Sequence, residues 1–81
     1  MERESSKSAS VSELARIGAA IRCIRTEQAI SQENLAHLAG IDRSHMGKIE
    51  RGERNVTILN IVRIATALSC APSELLKRAD L

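Results

Sequence analysis

Apolar residues recur every three or four positions through most of this chain. That interval is the helical repeat, and no alternating pattern of the kind a strand needs competes with it. Leu14, Ile17, Gly18, Ile21 and Ile24, followed by Gln28, form one face, which predicts a first helix from about Val11 to Glu27. Ser10 and Glu13 match the S-x-x-E capping box that would open it. Residues 1–9, Ser-rich and charged, read as a disordered tail, leaving 10–81 as one domain. Arg25 falls on the apolar face beside Ile21, so its guanidinium must snorkel to water or meet an acid. Cys23 points the other way.

Ser31 is placed to cap a second helix, with Glu33 near the positive end of its dipole. Leu35, Leu38 and Ala39 supply the inward face, and Gly40 supplies the stop. Ile41 anchors the turn, and Asp42 caps a third helix over Arg43 to Arg51, which ends at Gly52. A fourth helix starts at Thr57 and buries Ile58, Ile61, Ala65 and Leu68. Leu59, Val62 and Ile64 flank that stripe and make it unusually broad. Pro72 suits the first turn of a fifth helix, where its missing N–H leaves no bond unmade. Leu75 and Leu76 would dock that helix, and Leu81 lies near its end. The expected class is all-α, five short helices, with no internal repeat.

The third helix is the informative one. At 100° per residue, Met46 and Ile49 define its buried side, while Ser44, Lys48 and Arg51 point away from them. Gly47 lies close beside that outward group, and Arg43 leads the helix. Glu50 sits at the edge of the buried side, which makes it the natural partner for Arg25. The second and third helices, joined by Ala39-Gly40-Ile41, form a tight helix-turn-helix candidate.

Composition narrows the function classes. The 81 residues include no Phe, Tyr or Trp. Single-stranded nucleic acid is held largely by stacking bases on aromatic rings, so a nucleic-acid partner would be duplex DNA. The net charge of +2 is uninformative, but Arg43, Lys48, Arg51 and Arg54 cluster within one short stretch. Cys23 and Cys70 are far apart and read as free thiols in a reducing cytoplasm. Together with His37 and His45 they offer no metal-ligand spacing, and no cofactor is implied. The polar first residues do not form a signal peptide, and no apolar run is long enough to span a membrane. The expected location is cytoplasmic. Nothing assembles a nucleophile, a base and an oxyanion site, which argues against an enzyme.

Residues 13–76 resemble the Cro/C1-type (XRE) helix-turn-helix family of DNA-binding regulators. The likeness is carried by Ser31-Gln32-Glu33, Leu35-Ala36, Gly40-Ile41, Ile49-Glu50-Arg51-Gly52 and the run from Ile64-Ala65 to Leu68. The stretch "GERNVTILNIVRIATAL" and the short overall length are also similar to controller proteins of restriction–modification systems. The resemblance implies a compact five-helix, lambda-repressor-like domain whose third helix enters the major groove. It implies a homodimer on a pseudo-palindromic operator in double-stranded DNA. Arg43, Ser44 and Lys48 match the family's base-reading positions, and Gln32 matches a phosphate contact. Arg51, Arg54 and Asn55 are further phosphate candidates, and the family pairs the arginine matching Arg25 with the glutamate matching Glu50. The groove, about 12 Å wide, accepts one helix, and an arginine can donate two bonds to guanine O6 and N7.

Three alternatives stay open. The basic side chains of the third helix would also suit a solvated face. Gly47, where the family carries a groove-facing side chain, either permits close approach to DNA or is tolerated. Ser69 and Ala71 replace residues the family often uses between helices four and five, and Val56 replaces a frequent proline. Part of the apolar surplus, Leu59, Val62, Leu75 and Leu76, is assigned to a dimer interface. A rival of another class is an antitoxin-type module that binds the product of a neighbouring gene and autoregulates its operon.

Overall fold

The computed structural model describes residues 5–81, with side chains from Glu13 onward. Five helices follow one another: α1 (Ser5–Glu27), α2 (Gln32–Ala39), α3 (Arg43–Glu50), α4 (Ile58–Ala67) and α5 (Pro72–Arg78). Among the described residues there is no strand.

The first boundary differs from expectation. Helix α1 is under way at Ser5 rather than Val11, so Ser10 lies inside it and is not its N-cap. The run "SSKSAS" contains neither Gly nor Pro, so nothing in it ends a helix that has formed behind it. Of the expected tail, residues 1–4 lie outside the described residues and 5–9 are helical.

The other starts follow the capping rule. The Ser31 hydroxyl oxygen accepts from the Asn34 N–H at 3.0 Å and the Thr57 hydroxyl oxygen from the Asn60 N–H at 3.1 Å. The Asp42 carboxylate accepts from the N–H groups of Ser44 and His45 at 3.1 and 3.3 Å. Helix α5 opens at Pro72 with no side-chain bond from Ala71.

The helix ends share one construction. After each helix a residue turns left-handed: Ala29 (φ 59°), Gly40 (70°), Gly52 (74°), Ser69 (58°) and Asp80 (68°). The next N–H then reaches back to the last turn, from Ile30 to Arg25 O, Ile41 to Ala36 O, Glu53 to Lys48 O, Cys70 to Ala65 O and Leu81 to Leu76 O. This is the six-to-one closure that satisfies orphan carbonyls. Only two of the five positions carry the glycine that adopts it without steric opposition. The Gln28 side chain adds a tie across the molecule, donating to Leu68 O at the end of α4 at 2.8 Å.

Ile21, Leu35, Met46, Ile49, Ile64, Leu68 and Leu75 are fully enclosed and form the centre of the core. Helix α2 packs on α4 and α3, and α1 packs on α3 and α5. Three inward-facing expectations need correction. On α2 the buried set is Leu35, Ala36 and Ala39, while Leu38 is 60% exposed. At 100° per residue Leu38 falls about 105° from the centre of that arc, so Ala36 takes the inward place. On α4, Ile58 is 71% exposed and Ile64 wholly buried. The helical angle does not separate the two, since both lie about 50–70° from the line through Ile61, Ala65 and Leu68; Ile58 stays exposed in the first turn, while Ile64, further along the helix, is packed into the core. Leu75 is fully buried within its own chain, so it cannot line a dimer interface. Leu76 is half-buried, and Leu59 and Val62 remain exposed.

No single described helix is long and apolar enough to cross a membrane.

Candidate nucleic-acid interface

Helix α3 is held by its own apolar residues. Met46 and Ile49 are sunk in the core, which fixes the helix's rotation and turns Arg43 and Ser44 to solvent. Lys48 and His45 are half-buried at its flanks. The Ser44 hydroxyl donates to the Asp42 carboxylate at 2.6 Å, so its oxygen faces outward as an acceptor. That hydroxyl, followed by the His45 N–H, holds the Asp42 carboxyl below its ordinary value. Arg43 and Ser44 therefore project from the N-terminal turn of a helix anchored on its opposite side.

A polar cluster locks α3 to α1 and α2. Arg25 donates from Nε to Glu50 Oε2 at 2.7 Å and from Nη2 to Glu50 Oε1 at 3.0 Å. Its Nη1 donates to Ile30 O at 3.0 Å, and Gln32 Nε2 donates to Glu50 Oε1 at 3.1 Å. The Glu50 side chain is only 3% exposed. A buried carboxylate is tolerated when its lone pairs are met by charged and neutral donors, and here both oxygens are. The expected Arg25–Glu50 pair is thus present, with Gln32 as a third member. Close approach of the helices makes it possible: a Cβ built on Gly18 would stand 2.4 Å from Glu50 O and 2.5 Å from Ile49 O.

Gly47 is buried because two side chains fold over it. A Cβ there would lie 3.3 Å from both Arg51 Nη1 and Gln32 Oε1. Arg51 meanwhile donates to Glu53 at 3.0 and 3.2 Å, an exposed pair. The Arg51 guanidinium holds the Glu53 carboxyl below its ordinary value. Arg22, Arg25, Gln32, Glu50 and Arg51 surround one open cavity of about 260 Å³. Arg54 and Asn55 are exposed, and Asn55 lines a different cavity with Leu14, Ile17 and Val56. The candidate residues therefore fall into four places: the N-terminal turn of α3, its flank at Lys48, the cavity behind its C-terminal turn, and the loop before α4. Sequence reasoning missed Arg22 and the role of Gly18. Arg22 stands three positions before Arg25 on α1, a spacing that puts both guanidiniums on one side.

The helix-turn-helix family HTH_3 matches residues 21–75, spanning α2, the turn and α3 and most of what packs on them. The chain belongs to that family. It is a Cro/C1-type helix-turn-helix protein, a DNA-binding transcriptional regulator. The control protein C.SmaI of Serratia marcescens is 39% identical over 61 residues, covering 75% of this chain and 73% of that protein. The control protein C.BamHI of Bacillus amyloliquefaciens is 42% identical over 60 residues, covering 73% of this chain and 74% of its own. Among solved structures, the restriction–modification controller C.AhdI of Aeromonas hydrophila aligns with a TM-score of 0.75 at 50% identity. The alignment covers 76% of this chain and 94% of that one. The five-helix, all-α reading and the family resemblance both hold.

Proposed function

We propose that this helix-turn-helix protein is a restriction–modification controller that binds a pseudo-palindromic operator as a homodimer. The observation that carries the reading is the N-terminal turn of α3. Its Arg43 and Ser44 are exposed and its register is fixed by Met46, Ile49 and the Arg25–Glu50 pair. Such a helix end is what major-groove recognition uses. Arg43 reads guanine through two bonds, Lys48 adds a single point donor, and Ser44 accepts from a base amino group or receives a water. Arg51, Arg54, Asn55 and Gln32 hold phosphates and set the register without reading sequence.

The homodimer reading rests on exposed apolar surface. Leu59 and Val62, 55% and 40% exposed, lie one turn apart on the outer face of α4, and Leu76 on α5 is half-covered. A two-fold interface there sets two α3 helices on half-sites roughly 34 Å apart. The control proteins among its relatives support the placing of this chain beside a restriction–modification system. Bound occupancy of an operator then blocks or recruits polymerase according to where the site lies.

In vitro selection of duplex sequences at a stated salt concentration, paired with sedimentation of the free protein, tests the reading. A symmetric consensus and a dimer mass are expected. The Arg43→Ala, Lys48→Ala double variant should bind without preference for that consensus. Undiminished preference in that variant would remove α3 from recognition. A monomer that assembles only with a neighbouring gene's product would favour the antitoxin-type alternative.

A further inference from the structure

We propose that Arg22 completes a seat for one DNA backbone phosphate in the cavity between α1, α2 and α3, and that Glu53 occupies Arg51 until that phosphate displaces it. The inference rests on the duplex-binding reading above and adds to it a residue and an exchange.

The charge around the cavity is lopsided. Three guanidiniums, of Arg22, Arg25 and Arg51, face one carboxylate, that of Glu50. That carboxylate is already spent. Both its oxygens accept from Arg25, Oε1 accepts also from Gln32, and almost none of the side chain meets solvent. Arg25 is largely committed as well, since each of its three nitrogens already donates a bond, the third to Ile30 O. The surplus positive charge thus lies with Arg22 and Arg51 at the rim. Arg22 is exposed and, among the described residues, no carboxylate is bonded to it.

Arg51 has a partner, but one suited to exchange. Glu53 is two residues away, and both side chains are more than half exposed. An exposed ion pair of this kind contributes little net stability, so a phosphate replacing the carboxylate meets slight resistance. A backbone phosphodiester offers a guanidinium fork a similar pair of acceptor oxygens with the same single negative charge, so it can take the place of the carboxylate. Beside the seat, α3 carries no side chain at position 47. Gly47 lies directly beneath Arg51 and Gln32. The site opens on the C-terminal half of α3, so a strand whose bases meet Arg43 can run its backbone past it.

Fluorescence anisotropy across a salt series tests the seat, using the selected operator and a scrambled duplex. Arg22→Ala should weaken binding to both duplexes by a similar factor and flatten the salt slope by about 0.9, one phosphate's worth of released counterion. Arg22→Lys should keep most of the slope. Glu53→Gln should strengthen binding to both duplexes several-fold at low salt, because Arg51 is no longer occupied. A neutral methylphosphonate at the seated position should weaken the wild type but not Arg22→Ala, a comparison made within folded proteins. A wild-type slope in Arg22→Ala, with no position at which methylphosphonate separates the two proteins, overturns the seat and leaves the duplex-binding reading intact. A wild type that binds no duplex overturns both.

Discussion

Gly18 of α1 touches the backbone of Glu50 in α3. The position its Cβ would occupy is 2.4 Å from the Glu50 carbonyl oxygen, well inside contact distance. Side chains can swing aside from such a clash, but a helix backbone cannot. Gly18→Ala should therefore destabilise the fold by about 1–3 kcal/mol, even after the gain in helix propensity of about 1 kcal/mol. Gly47→Ala should have the opposite sign. Its Cβ meets only the ends of Arg51 and Gln32 at 3.3 Å, so the propensity gain of up to about 1 kcal/mol prevails. Urea unfolding of the two variants checks the contrast. Equal effects would mean that α1 and α3 are not in backbone contact.

The approach that Gly18 permits brings Arg25 onto Glu50, and that pair is buried enough to be asymmetric in its energetics. Glu50→Ala leaves the Arg25 guanidinium, whose side chain is 12% exposed, without its carboxylate and should cost about 3–5 kcal/mol. The surface pair of Arg51 and Glu53, more than half exposed on both sides, should contribute far less. Chemical denaturation of Glu50→Ala and Glu53→Ala checks this ordering. A small loss at Glu50 would show that Arg25 escapes to water.

Sequence periodicity reached the existence and order of the helices because each buries a stripe wide enough to mark its repeat. It placed Arg25 against Glu50 for the same reason: a charge on an apolar face demands a partner. It failed where length, not pattern, decides. Helix α2 has eight residues, and a small error in its arc put Leu38 inside and left Ala36 out. The Leu75 assignment failed because one turn of apolar residues on α5 serves two neighbours, and only packing tells which residue faces inward. The surroundings of Gly47 lay beyond the reach of periodicity for another reason. Its environment is made by Gln32, distant in sequence, and by Arg51 leaning back along the helix.

Helix ends gave the same lesson and lead to a prediction. Gly40 and Gly52 announced their stops, but Ala29 and Ser69 do the same work in the left-handed region with a Cβ present. That conformation costs an L residue roughly 1–2 kcal/mol. Ser69→Gly should recover about 1 kcal/mol, less a little for greater freedom in the unfolded chain, and Ala29→Gly should behave alike. Thermal unfolding of the two variants, with DNA binding unchanged, is the check. A loss of stability would mean that Ser69 makes a contact that outweighs its strain.

Asp42 connects pH to the recognition helix. The Ser44 hydroxyl and the His45 and Ser44 N–H groups bond the charged carboxylate, and together they hold its folded pKa below the ordinary value. A group whose pKa is depressed by folding binds fewer protons in the folded state than in the unfolded one. Its contribution is complete above the unfolded value of about 3.9 and disappears as pH falls through the lower folded value. Glu27 and Glu53 are depressed as well, by Arg78 and Arg51, so acid sensitivity of the whole protein has several sources. Asparagine caps a helix nearly as well as aspartate but does not titrate in this range. Asp42→Asn should therefore match the wild type in fold near neutral pH. Below about pH 4 its melting temperature should fall less steeply than that of the wild type. Parallel melting curves for the two proteins across pH would show that the first turn of α3, which carries Arg43 and Ser44, does not depend on the charge of its cap.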